Sequence, residues 1–147
     1  MGSNPPGPRQ WRRCWAAALL LLLPAGCGDN IERVPVSGRV LVDGQPLRGK
    51  AGSVLFKPDS SKGKPGSHEA AGNLDEEGNY VLFTAGKKGA APGWYKVVVF
   101  ATEKGADRDA PARVFHPRYC SDKSTPLAVE VVAQPAAEQY DLKLTRK

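Results

Sequence analysis

The chain has 147 residues, 21 Lys plus Arg against 15 Asp plus Glu, and three cysteines. That length suits one domain with extensions. The basic residues are interspersed with acids, with no run of five like charges and no arginine-rich arm, which argues against a nucleic-acid-binding surface.

The N-terminus is a compositional zone of its own. Residues 1–13 hold Arg9, Arg12 and Arg13 and no acid, and residues 14–23, CWAAALLLLL, are wholly apolar. A run of that length is about half of what a membrane-crossing helix needs. A basic start, a short apolar stretch and small residues after it describe a secretory signal peptide over 1–26. Its removal leaves 18 basic against 15 acidic residues, a net charge of +3.

The apolar run ends in Leu23-Pro24-Ala25-Gly26-Cys27. Two small residues before a cysteine resemble a lipobox, the signal at which lipoprotein signal peptidase cuts and the thiol carries diacylglycerol. The departure is Pro24, which stands where a leucine is usual, with Leu23 one place further back. The resemblance implies a lipid on Cys27, a membrane anchor and an extracytoplasmic location in an undetermined membrane. Several acyl chains on one cysteine make a stable anchor. Ordinary cleavage after Ala25 or Gly26 is the other reading. Arg12-Arg13 lies in WRRCW, a poor match to a twin-arginine export signal.

Residues 27–33 form a short tether, after which the period changes to two. In VPVSGRVLVDG, Val34, Val36, Gly38, Val40 and Val42 share one side, while Ser37, Arg39 and Asp43 take the other, as in a half-buried strand. Asp43-Gly44 predicts a turn. Residues 53–58, SVLFKP, predict a second strand with Val54 and Phe56 facing inward. Residues 57–68 read as a polar loop with basic residues from Lys57 to His68, 69–74 as a short strand, and Asp75-Glu76-Glu77 as a solvated hairpin turn without the alternating ligand spacing of a calcium loop. Residues 79–83 predict a strand and AGKKGAAPG a break. WYKVVVFAT (94–102) has the clearest alternation, with Tyr95, Val97 and Val99 on one face and Trp94, Lys96, Val98 and Phe100 on the other. A long loop spans 103–126. Residues 127–133 and 138–145 close the chain as two further strands, joined by 134–137.

No amphipathic helix of useful length follows residue 27. Six or seven short strands punctuated by turns predict an all-β sandwich or barrel over 34–147. The stretches VPVSGRVLVDGQPLRGKAGSVLFKP, NLDEEGNYVL and PGWYKVVVF, in that order, resemble the carboxypeptidase regulatory-like domain of the transthyretin-like superfamily. The features carrying the resemblance are Gly38, Gly44-Gln45-Pro46-Leu47, Asp75-Glu76-Glu77-Gly78-Asn79-Tyr80 and Pro92-Gly93-Trp94-Tyr95. The chain's ending is similar to that of small bacterial surface lipoproteins carrying this domain. The resemblance implies a seven-stranded Greek-key β-sandwich and an accessory, non-catalytic module; the expected anchor turns the search for a partner to the cell envelope, to a protein or a glycan there. A fold alone does not fix function.

Chemistry-bearing residues are few. The hydrolase known on this architecture ends in Tyr-Arg-Gly-Ser, whereas this chain ends YDLKLTRK with only His68 and His116 available. His116 and Cys120 stand four apart in a loop broken by Pro117, with no oriented base or oxyanion site evident. His116, Cys120 and Asp122 have no recognised metal spacing, and no cofactor motif is present. The candidate contact loop is therefore Phe115, His116, Tyr119 and Cys120, its aromatics either exposed or folded back over the sandwich edge. A hydrolase using the 103–126 loop is the alternative function. With Cys27 acylated, Cys120 is the last cysteine left in an oxidising compartment; otherwise a Cys27–Cys120 disulfide stays open.

Overall fold

The clearest alternation in the sequence builds the longest strand. A computed structural model of the chain describes residues 1–3, 30–103 and 114–147. Residues 4–29, which hold most of the leader and Cys27, and residues 104–113 of the long loop lie outside the described residues. Within them run β1 (Ser37–Val42), β2 (Gln45–Pro46), β3 (Lys50–Pro58), β4 (Ala70–Asn73), β5 (Asn79–Val81), β6 (Phe83–Thr84), β7 (Lys87–Lys88), β8 (Gly93–Glu103), β9 (Ala128–Val131) and β10 (Leu142–Leu144). A 3₁₀ turn covers Pro117–Cys120.

The strands form two packed sheets, so the protein is an all-β module. One sheet has the order β10-β1-β2, with β5 on the first half of β1; the other runs β7-β6-β4-β3-β8-β9. The alternating apolar residues meet between them. Val36, Val40 and Val42, Val54 and Phe56, Tyr95, Val97 and Val99, and Leu142 and Leu144 are all buried. Burying each such side chain contributes about 1.5–3 kcal/mol. The Phe56 ring lies 5.7 Å from that of Tyr95 and 6.2 Å from that of Tyr80. The long antiparallel register of β3 on β8 holds this layer, with Val54 opposite Val99 and Phe56 opposite Val97.

Several boundaries differ from the sequence reading. Pairing in β1 starts at Ser37, because Val34 bridges Ala90 instead. The strand expected over 79–83 serves both sheets. Val81 pairs with Ser37 of β1, and Phe83 pairs with Ala71 of β4, with Leu82 buried at the switch. The expected break after it is a tight hairpin, since Ala85 and Gly86 both have positive φ (50° and 76°), the geometry that suits the twist of paired strands. The final strand is shortened to Leu142–Leu144 and runs parallel to β1, with Val40 opposite Leu142. A turn at 136–141 precedes it, held by the Gln139 side chain, which accepts from the Ala136 amide and donates to the Glu130 carbonyl.

Candidate functional site

Cys27, the expected lipidation site, lies outside the described residues, so the site is read from what surrounds the first described residue after it. Residues 30–34 cross one end of the sandwich. Val34 exchanges two backbone hydrogen bonds with Ala90, at 2.9 and 3.0 Å, and the Arg33 guanidinium donates to the Thr84 carbonyl at 3.1 Å. These contacts lay the segment along the β6–β7 hairpin. On its other side stands the loop of residues 59–68. The sequence marks that loop as polar punctuation; the structure pins it down. The Trp94 carbonyl accepts from Asp59 and Gly66, and the Trp94 amide donates to Lys64. Gly66 lies against the Tyr95 ring so closely that a Cβ there would overlap it. At the head of the loop, the Ser61 hydroxyl and amide hold the Asp59 carboxyl below the usual carboxylate range, with Lys96 and Lys62 adding to the effect against burial.

Between the segment and the loop opens a groove of about 490 Å³, lined by residues 30–32, 64–65, 67–68 and 91–92. Its walls combine apolar Ile31, Pro65, Ala91 and Pro92 with Glu32, Lys64 and His68. The His68 Nδ1 stands 2.9 Å from the Ser67 hydroxyl, and both residues are exposed. Sequence reasoning missed this groove because its three parts lie about 30 residues apart along the chain and meet through the Val34–Ala90 bridge and the bonds of the loop to Trp94.

The candidate contact loop divides into inside and outside. Phe115 and Tyr119 are 5% and 2% exposed and pack edge to face, 6.1 Å between ring centres, as part of the core. His116 is half-buried at the head of the 3₁₀ turn, where its Nδ1 accepts from the Arg118 amide at 3.1 Å. That bond fixes the imidazole as a cap. Cys120 is half-buried and packs against the core. Arg118 stacks 4.8 Å above the Tyr119 ring and donates to the Tyr119 hydroxyl and to Thr145. Burial pushes the Tyr119 phenol up, but bonds from Thr145 and Arg118 and the guanidinium charge outweigh it and hold it below the usual tyrosine value. Asp122 forms an ion pair with Lys57 at 3.5 Å, away from the His116 cap.

A second groove, of about 410 Å³, lies on the four-stranded sheet beside Arg39, Asn79, Glu138 and Asp141. Asp75 caps the nearby turn, its Oδ1 accepting from the Glu77 and Asn79 amides and its Oδ2 from the Asn79 side chain. The Asn79 side chain is the largest of the influences that hold the Asp75 carboxyl low. The Asp75 oxygens thus serve the hairpin. His116 lines neither groove. Among the described residues no group of three or more His, Cys, Asp or Glu side chains is placed to hold a metal ion, and no helix is long and apolar enough to cross a membrane.

No family model matches the chain, and neither the curated proteins nor the solved structures give a match.

Proposed function

We propose that this chain is an extracytoplasmic lipoprotein, anchored through a lipid on Cys27, whose β-sandwich is a non-catalytic module for binding or cell-envelope structure. The observation that carries the reading is the sequence LLLLLPAGCGDN, set directly before a folded domain. The first described residue after it, Asn30, is exposed at one end of the sandwich, so an acylated Cys27 need not disturb the core.

The finer fold reading is a Greek-key sandwich of the carboxypeptidase regulatory-like type. Two of its glycines support it by the work they do. Gly38 passes so close to the Tyr140 carbonyl that a Cβ would collide with it. Gly93 has φ 137° and lies against Pro65 and Gly66, a conformation and a clearance that only glycine meets without strain. The partner class on this reading is a cell-envelope protein or glycan. Two features favour a non-catalytic role. The His116 imidazole is used as a cap, and the aromatics beside it are committed to the core.

Detergent phase partition of the full chain expressed with its own leader tests the anchor. The wild type is expected in the detergent phase and the membrane fraction, and Cys27→Ala in the aqueous phase. Aqueous partition of both would overturn the reading.

A further inference from the structure

We propose that the end of the sandwich crossed by residues 30–34 is a membrane-facing surface, which rests its lysines on anionic phospholipid headgroups. This rests on the Cys27 anchor proposed above and gives that anchor an orientation.

Chain length supplies the first argument. Asn30 stands three residues after Cys27, and an extended chain of three steps spans at most about 11 Å. An acylated Cys27 therefore holds Asn30 within roughly one Debye length, about 10 Å, of the headgroups. The tether keeps this end close to the bilayer, and contacts at the surface decide whether it rests there.

Charge supplies the second. Segment 30–34 is flanked by exposed Lys64 in the loop on one side and by exposed Lys87 and Lys88 of the hairpin on the other, with Arg33 bonded to that hairpin. Asp29 precedes Asn30 in the tether sequence. Carboxylates also stand at this end, namely Glu32 in the groove, Glu69 after the loop, Asp59 beside Lys62 and Lys96, Glu130 opposite Trp94 and Glu138 before β10, but the side chains that border the segment on both flanks are the lysines. The acidic turn Asp75-Glu76-Glu77 sits at the opposite end, where the Glu76 carbonyl accepts from Gly49. Basic residues held near an anionic leaflet are attracted to it, and an acidic turn pointing away avoids the repulsion.

The shape of this end agrees. The groove between the lysines has apolar walls from Ile31, Pro65, Ala91 and Pro92, and lysine stems with an apolar floor between them suit the boundary between headgroups and acyl chains.

Per-lysine amine labelling of the full acylated protein tests this, in vesicles of phosphatidylcholine alone and with phosphatidylglycerol added, read by peptide mass spectrometry. Labelling of Lys64, Lys87 and Lys88 is expected to fall by about threefold or more when the anionic lipid is present, with Lys123 and Lys143 unchanged as internal references. In Lys87→Glu/Lys88→Glu, the protection of Lys64 is expected to vanish while the unfolding midpoint stays that of the wild type. With acyl mass on Cys27 verified in the same sample, equal labelling of Lys64, Lys87 and Lys88 in both vesicle types overturns the proposal and leaves the anchor standing. Absence of acyl mass on Cys27 overturns the anchor, and the proposal falls with it.

Discussion

The phenol of Tyr80 donates to the backbone carbonyl of Tyr140 at 2.5 Å, across 60 residues of sequence. Tyr80 belongs to β5 and Tyr140 leads into β10, two of the strands that pair with β1. Their bond passes over Gly38, whose missing side chain leaves the space for it. Burial pushes the Tyr80 phenol up, with the Asp141 and Tyr140 charges adding to the effect, so it remains a donor at any physiological pH. Tyr80→Phe leaves a buried carbonyl without its donor and is expected to cost about 1–3 kcal/mol in urea unfolding. Gly38→Ala forces the carbonyl aside and is expected to cost a similar amount, about 1–3 kcal/mol. A cost near zero for both would mean that this junction does not hold the four-stranded sheet together.

The segment 114–121 separates packing from surface chemistry. Phe115→Ala removes a buried ring and is expected to destabilise by about 3–5 kcal/mol. His116→Ala removes only a cap and is expected to cost about 0.5–2 kcal/mol. Unfolding midpoints measured on the two variants check this ordering. Loss of partner binding in Phe115→Ala would report damage to the fold, so binding at this end is better probed through His116.

Alkaline pH gives a third expectation. Burial pushes the Tyr95 phenol up to about 12, and the protonated phenol donates to the Ala91 carbonyl. An unfolded phenol ionises near 10. The folded state therefore keeps a proton that the unfolded chain releases, and stability falls as pH rises from about 10 toward 12. The Tyr80 phenol, also raised, acts in the same direction, while the lowered Tyr119 phenol opposes it. Urea midpoints across this window are expected to decline less steeply in Tyr95→Phe than in the wild type. An unchanged slope would contradict the assignment.

Much of the sandwich was legible because its strands alternate, although Val98 on the outer face of β8 is buried as well. The inward sets Val54 and Phe56, Tyr95, Val97 and Val99, and Leu142 and Leu144 are all buried as the period of two requires. What the period does not encode is the partner. Nothing in NYVLF tells that Val81 pairs with one sheet and Phe83 with the other, or that β10 runs parallel to β1. Short connections were also hard to read. AGKK has the look of a break, yet two positive φ angles at Ala85 and Gly86 make it a hairpin. The groove at the tether end depends on distant pieces brought together by Val34 and Ala90, so local pattern could not reveal it.

The central claim is the anchor at Cys27, and the intact mass of the protein taken from its native membrane fraction, beside Cys27→Ala, tests it most directly. The account predicts a mature chain that begins at Cys27 and carries the added mass of its acyl groups, with that mass lost in the variant. An unmodified chain, released in soluble form from both versions, would contradict it.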